Sequence, residues 1–148
     1  MSTYTQIYYH IIFSTKNRVP CLKEEEREKL FKYIWGIINN KGCHLYRING
    51  VEDHIHILTG LKPAIALADL VKDIKVASSI WLKEENIFPR FKGWQEGYAA
   101  FTYADKDKNT IINYIKNQIE HHCKRSFREE IEVLLKEHSI KFDDRYLV

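Results

Sequence analysis

Cysteine is scarce in this sequence, and Cys21, Cys43 and Cys123 are odd in number with no paired spacing. That argues against a disulfide framework and suits free thiols in a reducing cytoplasm. Three prolines and six glycines are too few and too scattered for a low-complexity tract, and no internal repeat or linker interrupts the chain. No stretch approaches the roughly 20 apolar residues that a membrane span requires. The opening MSTYTQIYYHIIFSTKNR has neither a basic leader nor a small-residue cleavage site, so it reads as a first strand rather than a signal peptide. Charge of one sign is also sparse. Lysine and arginine total 23 against 20 acidic residues, a formal net charge of +3, too little to establish nucleic-acid binding by composition. What is present, 45% hydrophobic residues in a chain of 148, is enough for one domain with a buried core.

The pattern along the chain alternates between the two periods. Tyr4 to Ser14 is rich in β-branched and aromatic residues, with Thr5, Ile7, Tyr9, Ile11 and Phe13 on one face and Gln6, Tyr8 and His10 on the other. Leu30, Phe31, Ile34, Trp35, Ile37 and Ile38 recur with helical period up to a stop at Gly42. Residues 43–51 and 54–61 read as two short strands with a tight turn near Asn49-Gly50. A second amphipathic helix follows over Leu67 to Trp81, then a strand over Tyr98 to Tyr103. Thr110 to Lys124 reads as one helix and Phe127 to His138 as another. The order β-α-β-β-α-β predicts an α+β, ferredoxin-like antiparallel sheet of the RNA-recognition type, with strand order 4-1-3-2 and two additional C-terminal helices. Its two core helices cover one face of the sheet, and the other face is expected to remain available for a site or a partner.

Two sets of residues carry chemistry. In Asp53-His54-Ile55-His56-Ile57-Leu58, strand alternation sends His54 and His56 to the same face while Ile55 and Ile57 enter the core. Paired imidazoles can hold a divalent metal, though a solvated polar face would read the same way. On the later helix, Tyr114 and Gln118 fall about 40° apart on the wheel, away from the isoleucine stripe. A phenol of ordinary pKa is a weak nucleophile near neutrality and needs help, for instance from a metal that polarises the group it attacks. Spacing alone does not distinguish this from an ordinary exposed helix. Cys43-His44 and His121-His122-Cys123 invite a zinc site, but adjacent helical residues diverge by about 100° and the latter three cannot converge on one ion.

In combination these features resemble the single-tyrosine HUH transposases, which mobilise small bacterial insertion sequences through single-stranded DNA. The resemblance also runs through Phe13-Ser14-Thr15-Lys16-Asn17-Arg18, Trp94-Gln95-Glu96-Gly97-Tyr98-Ala99-Ala100-Phe101, Tyr114-Ile115-Lys116-Asn117-Gln118 with His121-His122, and the tail Asp143-Asp144-Arg145-Tyr146-Leu147. It implies that His54, His56 and Gln118 hold Mg2+ or Mn2+ and that Tyr114 attacks the scissile phosphate, giving a 5′-phosphotyrosine and a free 3′-hydroxyl. It implies a homodimer, commonly with the tyrosine helix of one subunit reaching the histidines of the other, and DNA hairpins at the element ends as the target. Residues 1–125 are then the catalytic domain with its tyrosine helix, and 126–148 a helical tail.

Lys16, Arg18, Lys62, Lys72, Lys75, Arg90 and Lys92 are candidates for phosphate contacts, against the alternative of a solvated surface. Tyr8, His10, Trp94 and Tyr98 either stack on bases or pack internally. Three further readings stay open: a replication initiator or relaxase, a non-catalytic single-stranded nucleic-acid-binding module of the same fold, and a domesticated transposase relative. The first fits poorly, because relaxases usually place the tyrosine before the histidines and initiators are usually longer.

Overall fold

Alternation in the first strand has the expected consequence: Ile11 and Phe13 point into one layer of core, and His10 and Ile12 into another. The computed structural model describes residues 2–143 and Arg145, with the side chains of residues 121–123 outside the description. Its elements are β1 (Tyr8–Ser14), α1 (Glu24–Asn40), β2 (Leu45–Gly50), β3 (His54–Gly60), α2 (Leu67–Glu85), β4 (Ala99–Thr102), α3 (Lys108–Lys116), α4 (Gln118–Lys124) and α5 (Phe127–Glu137). The four strands form one sheet in the order β2-β3-β1-β4, every pair antiparallel. This is the order 4-1-3-2 expected from the sequence, read from the opposite edge.

The main core lies between one sheet face and α1 with α2. Ile11, Phe13, Ile55 and Ile57 meet Leu30, Ile34 and Ile38 of α1 and Leu70, Val71 and Ile74 of α2. Each such side chain contributes about 1.5–3 kcal/mol on leaving water. The Trp94 indole enters this layer and donates to Ser78 Oγ at 2.9 Å, so its one polar atom is satisfied.

The opposite face is not open, contrary to expectation. Tyr8 and Leu58 are covered by Ile115 of α3, and Ile12 and Phe101 by Phe127, Ile131 and Leu134 of α5. The reason is in the sheet itself: a face carrying Tyr8, Ile12 and Leu58 needs apolar cover, and the i, i+4, i+7 stripe of α5 supplies it. Polar groups on this face are thereby buried.

Three local expectations are corrected. Asn49-Gly50 is not the hairpin turn but the end of β2, with Asn49 opposite His56 and Gly50 opposite Ile55; the chain reverses over residues 51–53. Glycine is required at 50 because an added Cβ would lie 2.7 Å from the His54 carbonyl oxygen and 2.8 Å from Ile55 Cγ2. The single helix expected over Thr110 to Lys124 is two, interrupted at Asn117. Asn49 accounts for the break: its Nδ2 donates to the carbonyls of Ile115 and Lys116, both at 3.0 Å, satisfying acceptors that a continuous helix would have used. The expected strand over residues 4–14 likewise begins only at Tyr8.

Candidate functional site

The site begins on β3. With Ile55 and Ile57 committed to the main core, His54 and His56 face the layer beneath α3 and α5, and both are buried. Each ring is held from behind through Nδ1. His54 Nδ1 lies 2.7 Å from Asp53 Oδ1, and His56 Nδ1 lies 2.8 Å from Nε2 of His10 on β1. The two Nε2 atoms then converge on one acceptor, Glu130 Oε1, at 3.0 Å from His54 and 2.9 Å from His56.

Glu130 comes from α5. That helix starts at Ser126, whose Oγ accepts from the Glu129 amide at 3.2 Å, and docks through Phe127, Ile131 and Leu134. The docking leaves the Glu130 residue only 4% exposed. Its second oxygen faces the tyrosine: Tyr114 Oη donates to Glu130 Oε2 at 2.6 Å, and Gln118 Nε2 donates to it at 3.3 Å. One carboxylate thus joins both histidines to Tyr114 and Gln118 within a single chain. The interruption at Asn117 separates the last two onto α3 and α4 without separating their side chains.

The electrostatics follow from burial and from that carboxylate. Burial alone would lower His54, but the Asp53 and Glu130 carboxylates outweigh it and raise the imidazole to about 9. Burial opposes the ionised form of Glu130, yet hydrogen bonds from His54 and His56 hold its pKa well below the ordinary carboxylate range. Burial and then the Glu130 charge push Tyr114 far above an ordinary phenol. Burial likewise raises Tyr103 to about 12. Burial, and then repulsion from His56, hold His10 well below an ordinary imidazole.

Two imidazole nitrogens and a carboxylate oxygen within 4.8 Å of one another form a donor set that suits a divalent metal ion. Gln118 supports the same use, because its buried Oε1 finds no hydrogen-bond partner among the described residues. A buried amide oxygen left without a donor is costly in the metal-free protein and is an available ligand in the loaded one.

The structure therefore brings together Tyr114, His54, His56 and Gln118. Glu130 and His10 were not assigned to this site from sequence. Glu130 had a signal: it occupies i+3 in the stripe Phe127, Ile131, Leu134, where an acid has no place unless it is paired. Of the aromatic candidates for base stacking, Tyr8, His10 and Trp94 are buried and pack internally, whereas Tyr98 is exposed. His121, His122 and Cys123 lie outside the described side chains.

The basic residues divide. Lys16, Arg18, Lys75 and Lys92 line one cleft of about 910 Å3 together with Ser14, Trp94 and Gln95. Ser14 pairs with His54 across the sheet, so this cleft starts at the edge of the site. Lys75 is committed within it, donating to the carbonyls of Gln95 and Gly97. Asn17 and Arg18 sit in the left-handed region at φ 57° and 55°, a strained turn of the kind that accumulates at functional loops. Lys62 borders a different cleft, of about 290 Å3, and Lys72 and Arg90 are exposed residues lining neither.

Residues 3–118 match the family model described as "Transposase IS200 like". The chain belongs to the IS200-like transposase family. It is 26% identical over 118 residues to the ISDra2 transposase TnpA of Deinococcus radiodurans, covering 76% of this chain and 84% of that protein. It is 28% identical over 117 residues to the transposase for insertion sequence element IS200 of Salmonella typhimurium, covering 76% of each. In three dimensions it superposes on a REP-associated tyrosine transposase bound to a REP hairpin with a TM-score of 0.61, at 16% identity, covering 86% of this chain and 76% of that one, a likeness of fold. This IS200-like transposase is thus an enzyme of DNA transposition, a class that cuts and transfers DNA strands. The matched segment ends at Gln118, so Glu130 comes from α5 beyond it. No helix among the described residues is long and apolar enough to cross a membrane.

Proposed function

We propose that this transposase cleaves and rejoins single-stranded DNA through a 5′-phosphotyrosine at Tyr114, moving a small insertion sequence. The observation that supports this most is the shared carboxylate: Glu130 accepts from both catalytic-strand histidines and from the Tyr114 hydroxyl, so the nucleophile and the metal-binding pair address one point. His54, His56 and the Gln118 side-chain oxygen would hold Mg2+ or Mn2+, with Glu130 as a further ligand. When bound, the ion supplies Lewis-acid polarisation of the scissile phosphate.

The remaining work falls to the chain. Tyr114 is protonated near neutrality, and its nearest acceptor is Glu130 Oε2. As the phenol oxygen bonds to phosphorus, the bond from phosphorus to the 3′ oxygen breaks. The phenol proton passes by way of Glu130 to that departing oxygen, leaving a 3′-hydroxyl. A second 3′-hydroxyl then attacks the phosphotyrosine, the proton returns to Tyr114, and the strands join without ATP because the covalent link retains the phosphodiester's free energy.

In this reading the tyrosine serves the histidines of its own chain. Dimerisation is a proposal from family membership and is not needed to assemble the site. Residues 1–125 are the catalytic domain and 126–148 a tail that lends it Glu130. Acting on bacterial DNA, the enzyme works in the cytoplasm. The target is a hairpin-forming element end, in keeping with the hairpin held by the REP-associated relative.

The test is incubation with labelled single-stranded element-end DNA and Mn2+ or Mg2+. Wild type forms a denaturation-resistant protein–DNA adduct, and His54→Ala lowers its rate on the order of 100-fold or more, the scale of a lost Lewis acid. Adduct formation by His54→Ala at the wild-type rate would refute the metal assignment.

Lys16, Arg18 and Lys92 are proposed to contact phosphates along the larger cleft, with Lys75 shaping its wall. Lys62, Lys72 and Arg90 are weaker candidates, standing outside that cleft. In a plot of log affinity against log salt, Lys16→Ala and Lys92→Ala should each reduce the slope by about 0.7, with Lys72→Ala leaving it unchanged. Equal slopes for all three variants would remove the cleft from the binding surface.

A further inference from the structure

His56 engages partners through both ring nitrogens, and the chemistry of one dictates the state of the other. Nε2 faces Glu130 Oε1 at 2.9 Å, on the side where the ligand set converges. An imidazole that binds a metal through Nε2 offers a lone pair there, so in its neutral form its proton sits on Nδ1. That proton needs an acceptor, and at 2.8 Å stands Nε2 of His10. A neutral His10 accepting at Nε2 carries its own proton on Nδ1, which lies 3.5 Å from Tyr103 Oη. Both histidines are fully buried, out of reach of bulk solvent. The rings of Phe101, Tyr103 and Tyr114 enclose His10, and among the described residues its side-chain hydrogen bonds are the two to His56 and Tyr103.

We infer that His10 is a positioning residue that sets the tautomer of His56, with Tyr103 closing the chain behind it. The inference rests on the reading of His56 as a metal ligand. Its partner histidine differs: His54 is oriented by the Asp53 carboxylate, whereas His56 is oriented by a neutral ring that can donate or accept. The His10–His56 pair therefore has two arrangements. Without an ion, His56 donates from Nε2 to Glu130 and accepts at Nδ1 from His10 Nε2. With an ion, His56 Nδ1 donates to His10 Nε2 and His10 Nδ1 donates to Tyr103. The proton leaving His56 Nε2 is matched by one arriving at His10 Nδ1, so both rings stay neutral and the pair takes up no net proton. Glutamine at 10 offers an oxygen to the same Nδ1–H, whereas leucine offers nothing.

The test measures metal binding and tautomer state in the full-length protein, independently of cleavage. Mn2+ affinity, followed by electron paramagnetic resonance, should fall about 10–100-fold in His10→Leu, the usual effect of losing a partner behind a metal-bound histidine. His10→Gln should restore it to near wild type. In protein labelled with 15N-histidine, Mg2+ should move the proton of both His56 and His10 from Nε2 to Nδ1. Thermal melting in chelator identifies any variant that has lost the fold, and the wild-type tautomer measurement needs no variant. The inference is overturned by His10→Leu binding Mn2+ like wild type, by folded His10→Gln binding as poorly as His10→Leu, or by His56 keeping its proton on Nε2 in saturating Mg2+. Wild-type protein that binds neither ion would overturn the metal reading of His56, and this inference with it. Metal binding by wild type with no effect at position 10 would leave that reading intact and defeat this inference alone.

Discussion

Tyr114→Phe is expected to abolish covalent attachment to DNA while leaving the fold and DNA binding in place. The change removes one oxygen from a half-buried ring that neighbours His10 and His56 and packs against the Tyr8, Leu58 and Ile115 cluster. Glu130 Oε2 loses the 2.6 Å hydrogen bond from Tyr114 and keeps the one from Gln118. A hydrogen bond to a charged group contributes roughly 1.5–3 kcal/mol, so the melting temperature should fall by about 5–10 °C with the fold retained. The chemistry has no such reserve, because phenylalanine has no oxygen with which to replace the 3′ leaving group. Denaturing gels of protein with labelled single-stranded DNA check this, with melting and DNA-binding curves on the same preparation. A Tyr114→Phe protein that still forms the adduct would place the nucleophile elsewhere.

Glu130→Ala should have the largest combined effect on stability and function. The carboxylate, itself buried, accepts from four side chains. Removing it leaves two buried imidazoles, a phenol and an amide without their common partner. Breaking a buried ionic contact by deleting one member costs about 3–5 kcal/mol, to be read from denaturant unfolding in chelator. Cleavage should fall as well, since the Tyr114 proton loses its acceptor and the ion a ligand. Glu130→Gln should lie between, because an amide accepts through one oxygen only and cannot serve both histidines and Tyr114. If Glu130→Ala cleaved at the wild-type rate, the carboxylate would be a space-filler in the metal-free protein and not part of the reaction.

The parts of this site that follow a period were legible. Alternation in residues 54–58 puts two histidines on one face whatever the rest of the chain does, and the central strand's Ile11 and Phe13 report the core in the same way. The four-residue step from Tyr114 to Gln118 also survived, although for a reason the wheel did not contain. The helix breaks between them, and Asn49 holds the break from a strand more than sixty residues upstream. Asn-Gly is a strong turn signal, and at Asn49-Gly50 it misled because the asparagine serves a tertiary contact and the glycine admits a close backbone approach.

Glu130 was harder to find. It lies 76 residues beyond His54, and from sequence its helix reads as a terminal appendage because no local rule says where an amphipathic stripe will dock. The stripe itself contained the clue, an acid among Phe127, Ile131 and Leu134. Apolar residues on the supposedly open face, Tyr8, Ile12 and Leu58, carried the complementary clue that something must cover it. His10 reads as a stacking candidate for the same reason: its burial depends on α3 and α5, which the alternation of its own strand does not reveal.

Assembly of the whole site within one chain is tested most directly by mixing variants. Tyr114→Phe retains the histidines, and a His54→Ala, His56→Ala double variant retains the tyrosine. Each should be inactive alone on labelled single-stranded element-end DNA. The prediction is that an equimolar mixture, unfolded and refolded together to allow subunit exchange, remains as inactive as its components. Recovery of adduct in the mixture would mean that the tyrosine of one chain serves the histidines of another, and would contradict the arrangement of Tyr114, Glu130, His54 and His56 described above.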